Sequence, residues 1–199
     1  MLLILLALAC QPALPDCEPG QNINADYECV DDPAIPGSEL LPPCDLLPVG
    51  DEIEVSSGCS EGACADATYD SFNAALGETG ECDSLEGYAF CDWRDGLLGS
   101  FFDDNDGDDV PDDGAGAAGV FLDSGYAGAS ADGLGVDISL QCWIDVYGYT
   151  DLVEYETVGE EQFIAELQWG DLGLIVDAQA DGDGEGDGLV DGIALFGYH

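Results

Sequence analysis

Apolar and polar residues alternate along the second half of the chain. Between Val136 and Val146 every even position is apolar and, apart from Trp143, every odd position is polar. A period of two is typical of a β-strand that buries one of its faces. The pattern therefore predicts a strand over 136–146, with Trp143 on its outward face.

The same alternation recurs further along the chain. It predicts strands over 153–157, 163–169, 172–176 and 193–196, with a turn at Gly170-Asp171 between the second and the third. Several short strands joined by turns of Gly and Asp are typical of antiparallel all-β folds. We therefore expect a mainly β protein, built as an antiparallel sandwich or a partial barrel, with a disulfide-braced N-terminal region.

One segment between two cysteines has a helical pattern instead. Tyr69, Phe72 and Leu76 fall near one face of a helix, Asp66 stands at the N-cap position and Gly77 follows the last turn. Acids and other N-cap residues favour a helix start, and glycine favours a stop. The segment predicts one short packing helix within the disulfide-braced N-terminal region, with no ligand role.

Proline is concentrated near the start of the chain. Eight of the nine prolines fall between Pro12 and Pro48. Because proline fixes φ and lacks a backbone donor, this stretch predicts an extended stem that its cysteines fasten to the body. We divide the chain into an export signal over 1–9, a stem over 10–50 and a single β-rich domain over 51–199, with a cysteine-rich first part over 51–92 and a strand-rich part over 115–199.

An apolar run, Leu2–Ala9, precedes Cys10. It is too short to cross a bilayer as a helix, but it suits the apolar region of an export signal. The segment resembles the lipobox of bacterial lipoproteins. That resemblance implies that Cys10 is the lipid-modified first residue of the mature chain and its contact with the membrane. It also implies an exported lipoprotein of the bacterial outer membrane or cell surface, with the periplasmic face as the alternative.

The number of cysteines agrees with lipid attachment at Cys10. Nine are present, and eight remain once Cys10 is set aside. An exported chain favours disulfides over zinc thiolates, and no Cys-x-x-Cys pair occurs. The disulfide candidates are Cys17, Cys29, Cys44, Cys59, Cys64, Cys82, Cys91 and Cys142. Because seven of them precede residue 92, full pairing requires Cys142 to bond back into that segment.

Acidic residues dominate the charge of the protein. The formal net charge is −43, from 44 acidic residues against the single base Arg94. Such a surface repels phosphate backbones, so we expect no nucleic-acid partner. Catalysis by an internal His or a Lys is excluded, because the only His is His199 and no Lys occurs. Carboxylate pairs and metal-activated water are the remaining catalytic chemistries.

Two acidic loops share one spacing of carboxylates, with acids at positions one, three, five and nine. These acids are Asp104, Asp106, Asp108 and Asp112 in the first acidic loop (104–112), and Asp183, Glu185, Asp187 and Asp191 in the second acidic loop (183–191). Alternate acids in a tight loop can converge on calcium, which takes about 6–8 oxygen ligands. In the second loop Gly188 permits the turn, and the backbone carbonyl of Leu189 is the expected neutral ligand.

Both loops resemble the calcium loops of thrombospondin type 3 repeats, in which Asp-x-Asp-x-Asp-Gly-x-x-Asp recurs. The resemblance covers the two loops and not the rest of the chain, and it implies calcium as the cofactor. An EF-hand is a poorer match, because it needs a Glu at position twelve, where the second loop has Ala194.

These patterns favour a lipid-anchored, calcium-stabilised bacterial envelope protein with a binding or structural role, and they favour an enzyme less. Trp143, if exposed on its strand, would stack on the sugar rings of a surface glycan, although core packing is the preferred role for it. A protein ligand is the other expected partner. The alternatives are a carboxylate-based or metal-assisted glycan hydrolase and an inert acidic surface coat protein.

Overall fold

A computed structural model describes residues 21–23, 29–31, 38–148, 150, 152–158, 161–178 and 188–196. The predicted export segment, the lipidation site Cys10 and Cys17 lie outside the described residues. So do Asp183, Glu185 and Asp187 of the second acidic loop. Within the described ranges, no helix is long and apolar enough to cross a membrane.

The fold is mainly β, which confirms the predicted fold class. The described strands are β1 (Gln21–Ile23), β2 (Cys29–Asp31), β3 (Ile53–Glu54), β4 (Cys59–Ser60), β5 (Ala63–Cys64), β6 (Glu81–Leu85), β7 (Tyr88–Trp93), β8 (Leu98–Asp103), β9 (Val120–Asp123), β10 (Leu152–Val158), β11 (Glu161–Trp169), β12 (Leu174–Asp177) and β13 (Gly192–Leu195). The described helices are α1 (Tyr69–Leu76) and α2 (Leu140–Tyr147), with short 3-10 helices at Ser38–Leu40, Val55–Ser57 and Gly170–Leu172.

The largest sheet contains eight antiparallel strands in the order β10-β11-β12-β13-β9-β8-β7-β6. Strands β3, β4 and β5 form a second sheet, which contributes Ile53 and Ala63 to the same hydrophobic core. The two sheets give a sandwich-like arrangement, and the described strands do not close into a barrel.

One face of the large sheet forms the core. A row of apolar residues crosses five neighbouring strands in direct register and is almost completely buried. Its members are Leu167, Val176, Ile193, Leu122 and Leu98. Because side chains alternate along each strand, the residues on either side of this row point to the opposite face. The register therefore creates a separate outer face on the same sheet.

The first helix covers the β7–β8 part of this core. The ring of Phe72 lies 5.1 Å from that of Trp93 and 5.5 Å from that of Phe102, measured between centroids. Gly77 ends the helix in the left-handed conformation, as the sequence predicted. The predicted N-cap was wrong: Thr68 accepts the cap hydrogen bond, whereas Asp66 precedes it in a turn with φ of +64°.

The second helix occupies part of the segment that was predicted as a strand over 136–146, so that prediction was wrong. Ser139 caps the helix by accepting a hydrogen bond from the Gln141 amide at 3.1 Å. Leu140, Trp143 and Tyr147 follow at helical spacing, and all three pack in or against the core. Trp143, which interrupts the alternation, is the residue that completes the apolar helical face.

Trp143 is completely buried rather than outward-facing, with a relative exposure of 0%. Its indole N–H donates to the Gly135 carbonyl at 3.3 Å, and its ring lies 6.0 Å from that of Tyr147. The possible stacking role of Trp143 is therefore excluded in this conformation, and the alternative of core packing is correct.

The predicted strands over 153–157, 163–169 and 193–196 are present. The strand predicted over 172–176 begins only at Leu174, because Gly170–Leu172 forms a 3-10 helix. Strands β6 to β9 were not predicted, although in β7 the alternating residues Ala89, Cys91 and Trp93 are buried and carry the period of two.

Among the described residues, three cysteine pairs lie at disulfide geometry: Cys44 with Cys142, Cys59 with Cys64 and Cys82 with Cys91. The first pair confirms that Cys142 bonds back into the N-terminal half. Near Cys44, the Leu47 amide donates to the Gly133 carbonyl at 2.9 Å. The end of the predicted stem is thus held against the β-rich part.

Candidate metal centre

The first acidic loop begins where β8 ends. Strand β8 finishes at Asp103, and the Asp104 amide donates to the Gly87 carbonyl at the β6–β7 turn, at 3.0 Å. The Asp112 amide donates back to the Asp103 carbonyl at 2.8 Å, which closes the loop at its base. Hydrogen bonds to the sheet therefore fix both ends of the loop.

Three of the predicted ligands converge at the start of this loop. Carboxylate oxygens of Asp104, Asp106 and Asp108 lie within 4.8 Å of one another. Asp104 is buried, whereas Asp106 and Asp108 are exposed. Oxygens bound to one calcium ion at about 2.3–2.6 Å are separated by no more than about twice that distance. The three carboxylates can therefore share one ion.

The Asp104 carboxylate is held in position by donors from two segments. Its Oδ2 accepts a hydrogen bond from the Ser84 hydroxyl at 2.9 Å, and its Oδ1 accepts from the Gly107 amide at 2.8 Å. Burial favours the neutral acid, but these bonds and a longer one from the Asp108 amide outweigh it and hold the pKa of Asp104 below its usual value. Asp104 is therefore a candidate ligand that favours the charged form.

Asp106 shows the repulsion that an unneutralised cluster creates. The charge of Asp108 is the largest cause that raises the pKa of Asp106, followed by desolvation and by the neighbouring Asp104. The charge of Asp112 adds to the same effect. A divalent cation among these carboxylates would remove this repulsion, because it interacts favourably with every one of them.

Asp112 is not part of the convergent group. Its Oδ2 accepts a hydrogen bond from the Asn105 amide at 3.4 Å and one from the Asn105 side chain. In this conformation Asp112 fastens the loop across its base. Of the four predicted ligands in the first loop, the structure brings three together and places the fourth beside them.

The sixth position of both loops adopts the left-handed backbone conformation. Asp109 has φ of +65° in the first loop, and Gly188 has φ of +71° in the second. Aspartate and asparagine tolerate this conformation better than most residues do. The Asp109 side chain is also fixed, since its Oδ1 accepts from the Ser84 amide at 2.9 Å. Asp109 therefore makes the turn that the repeat pattern assigns to glycine.

Only the last part of the second acidic loop is described. The Leu140 amide donates to the Gly188 carbonyl at 3.0 Å, and the Val190 amide donates to the Ile138 carbonyl at 2.8 Å. The Asp191 amide donates to the Asp177 carbonyl at 2.8 Å. These bonds fix the predicted ligands Leu189 and Asp191 beside the start of α2 and the end of β12.

Ser84 is a functional candidate that the sequence pattern did not reveal. It contacts both Asp104 and Asp109, although it lies in β6, far from the loop in sequence. The pairing of Tyr88 with Asp103 brings the β6–β7 hairpin to the point where the loop starts. Neither residue spacing nor composition around Ser84 gives a signal for this contact.

The comparisons with known proteins identify no relatives. No protein-family model matches the chain, and neither the curated proteins nor the solved structures contain a match. The chemistry of the first acidic loop therefore rests on its own residues: three convergent carboxylates, one of them buried and kept charged by fixed donors.

Proposed function

We propose that this protein is an exported, lipid-anchored component of the bacterial envelope, stabilised by calcium, with a binding or structural role. The observation that carries the proposal is the convergence of Asp104, Asp106 and Asp108 on one point at the end of β8. The leader's resemblance to a lipobox supports export and lipid attachment at Cys10, and the disulfide pairs support an oxidising compartment.

Calcium fits this donor set better than zinc or copper does. The convergent side chains offer only carboxylate oxygens, and no His or Cys stands within the loop. Zinc and copper prefer nitrogen and sulfur, whereas calcium accepts many oxygens in flexible geometry. Backbone carbonyls and water would supply the remaining ligands.

The ion would act on the stability of the fold. A net charge of −43 opposes compaction of the chain, and calcium would neutralise part of it at the end of a core strand. Because the described ligands are brought together only in the folded state, binding shifts the equilibrium toward that state. Calcium in the surroundings would thus keep the surface of the protein ordered.

Calorimetric titration of the purified, oxidised protein with calcium tests this role. We expect saturable binding and a higher melting temperature, with one binding event lost in Asp108→Asn and another in Asp187→Asn. Asp95→Asn is the matched control, because Asp95 is an exposed aspartate with a positive φ outside both loops. Weak uptake that does not saturate and is the same in all variants would contradict the proposal.

The anchor is tested separately. Mass spectrometry of the protein from membranes should find a diacylglycerol-type lipid on Cys10 as the first residue, and Cys10→Ser should release the protein into the soluble fraction. Recovery of an unmodified chain from the membranes, with no effect of the substitution, would contradict the lipid anchor and leave the calcium proposal standing.

A further inference from the structure

The outer face of the eight-stranded sheet carries an open groove of about 360 Å³. Its apolar lining includes Phe121, Ile175, Ala194 and Phe196, all of them half-buried. The groove lies on the face opposite the buried row of the core, and it shares no residue with the first acidic loop. Its volume lies in the range of small-molecule sites, about 300–1,000 Å³.

Three carboxylates lie along one side of this groove. Glu166 pairs with Asp177, Asp177 pairs with Gly192, and Gly192 pairs with Asp123 in the register of β11, β12, β13 and β9. We call Glu166, Asp177 and Asp123 the acidic row. Glu166 accepts a hydrogen bond from the Gln168 side chain, and Asp123 accepts one from the Ser124 amide at 2.8 Å. A carboxylate has more acceptor sites than one such bond uses, so the row concentrates negative charge that can still accept from a ligand.

Gly192 leaves space within the acidic row. A methyl group built on Gly192 would meet no atom closer than 3.6 Å, so the floor between Asp177 and Asp123 is open. A side chain at this position would separate the two carboxylates, whereas glycine allows a ligand group to approach both. The acidic row therefore has room for a positively charged group.

The adjacent row of the same face is apolar. Ile175 pairs with Ala194, and Ala194 pairs with Phe121. The Phe121 ring lies 5.9 Å from that of Phe196 and 5.4 Å from that of Phe101. Phenylalanine rings bind apolar groups, and their faces also attract cations. The groove thus places an apolar surface beside an anionic one.

We propose that this groove binds a small organic cation, with its ammonium group on the acidic row and its apolar body against Phe121, Ala194 and Ile175. Charge complementarity selects this occupant, because the negative row attracts a cationic group, offers a neutral molecule no electrostatic gain and repels an anion. The inference goes beyond the proposed function, since it names a ligand class for a surface that the calcium loops do not use.

The protein, in the part that the structure describes, does not provide this occupant. Arg94 is its only basic residue apart from His199, and its guanidinium is paired with Glu61 at 2.6 Å and with Glu78 at 3.1 Å. A second copy would bring a further net charge of −43 against the acidic row. A separate cationic ligand is therefore the occupant that the charges favour.

The test uses 2-phenylethylammonium as the probe and 2-phenylethanol as its neutral analogue, titrated at a fixed, saturating calcium concentration and followed by NMR. We expect saturable binding of the amine with shifts at Phe121 and Ala194, and much weaker binding of the alcohol. Asp123→Asn should weaken amine binding by up to about fivefold, the effect of one partly exposed ion pair. The Asp123→Asn/Glu166→Gln double variant should weaken it further.

Asp132→Asn is the matched control, because Asp132 is an exposed aspartate outside the groove. Equal weakening in this control would overturn the proposal, since it would show general attraction to a negative surface. Equal affinity for the alcohol would overturn it as well. Binding of a Lys-Leu peptide without binding of the amine would show a protein interface in place of a small-molecule site. Calcium binding by each variant is measured separately by calorimetry, so loss of calcium binding and loss of amine binding are distinguishable.

Discussion

The Ser84 hydroxyl donates a hydrogen bond to the Asp104 carboxylate at 2.9 Å, across 20 residues of chain. The amide of the same residue donates to the Asp109 carboxylate at 2.9 Å. One residue of β6 thus holds two points of the first acidic loop. The β6–β7 hairpin therefore helps to position the buried candidate ligand Asp104, in addition to the contacts within the loop.

Ser84→Ala tests this dependence. Loss of the hydroxyl frees the Asp104 carboxylate to move from the point where Asp106 and Asp108 converge. Residues that orient metal ligands typically change metal affinity by about 10-fold to 100-fold when they are replaced. We expect calcium affinity of the first loop to fall roughly tenfold, while that of the second loop is unchanged, as measured by calorimetry.

Ser124→Ala is the control for this experiment. The Ser124 hydroxyl also donates to an aspartate, Asp137, at 2.8 Å, but it lies outside the acidic loops. We expect no change in calcium affinity for Ser124→Ala. An unchanged affinity in Ser84→Ala would show that the loop orders Asp104 without help from the hairpin.

The disulfide between Cys44 and Cys142 should contribute more to stability than the others. It closes a span of 98 residues, whereas Cys59 and Cys64 are separated by 5. In the loop-entropy account, the long closure contributes roughly 4–5 kcal/mol and the short one about 2 kcal/mol. Replacing Cys44 and Cys142 with Ala should therefore reduce the free energy of unfolding about twice as much as replacing Cys59 and Cys64.

Urea unfolding with a calcium chelator present measures both losses without a contribution from the ion. The two disulfides can then be compared on the same chain. An equal loss for the two pairs would contradict the entropic account and assign the effect to local packing around each bridge.

Tyr126 should make the fold sensitive to alkali. Burial is the largest cause that raises the pKa of Tyr126 to about 12, and the nearby charge of Glu61 adds to it. Since the folded-state pKa lies above the ordinary value of 10.0, the neutral phenol stabilises the fold. This contribution is fully present below pH about 10 and is lost as the pH rises toward about 12.

Absorbance of tyrosinate, followed together with unfolding by urea, measures this effect. In Tyr126→Phe the loss of stability between pH about 10 and about 12 should be smaller than in the parent protein. Tyr147→Phe provides the matched comparison, because burial also raises the pKa of Tyr147 to about 12. An alkaline stability profile unchanged by both substitutions would contradict the assignment.

Local sequence patterns correctly predicted the elements whose apolar residues fit only one period, either that of a strand or that of a helix. The alternation over 163–169 indicated β11, and Gly77 indicated the end of α1. The segment over 136–146 contains both periods at once, because Leu140, Trp143 and Tyr147 also satisfy a helix. The Ser139 cap and the core contacts decide in favour of the helix. The core contacts involve residues distant in sequence, so the local pattern does not contain them.

Of the two candidate sites, the acidic loop could be predicted from local sequence, whereas the groove could not. Asp104, Asp106 and Asp108 follow one another within a few residues, so their spacing was readable from the sequence. The acidic row depends on the register between strands from distant parts of the chain, such as Asp177 in β12 and Asp123 in β9. The register between two strands is fixed by which side chains of each strand reach the core. A short segment of sequence does not contain this information.

Trp143 provides the sharpest test of the corrected helix. If its ring is a core residue, Trp143→Ala should lower the free energy of unfolding by about 3–5 kcal/mol, because it removes a large buried group and leaves a cavity. Val146→Ala on the same helix should cost no more than about 0.5 kcal/mol, because Val146 is 38% exposed. Urea unfolding of both variants measures the difference. If Trp143→Ala cost no more than Val146→Ala, the buried position of Trp143 would be contradicted. The outward position predicted from the alternating pattern, and a stacking role for this tryptophan, would then be supported.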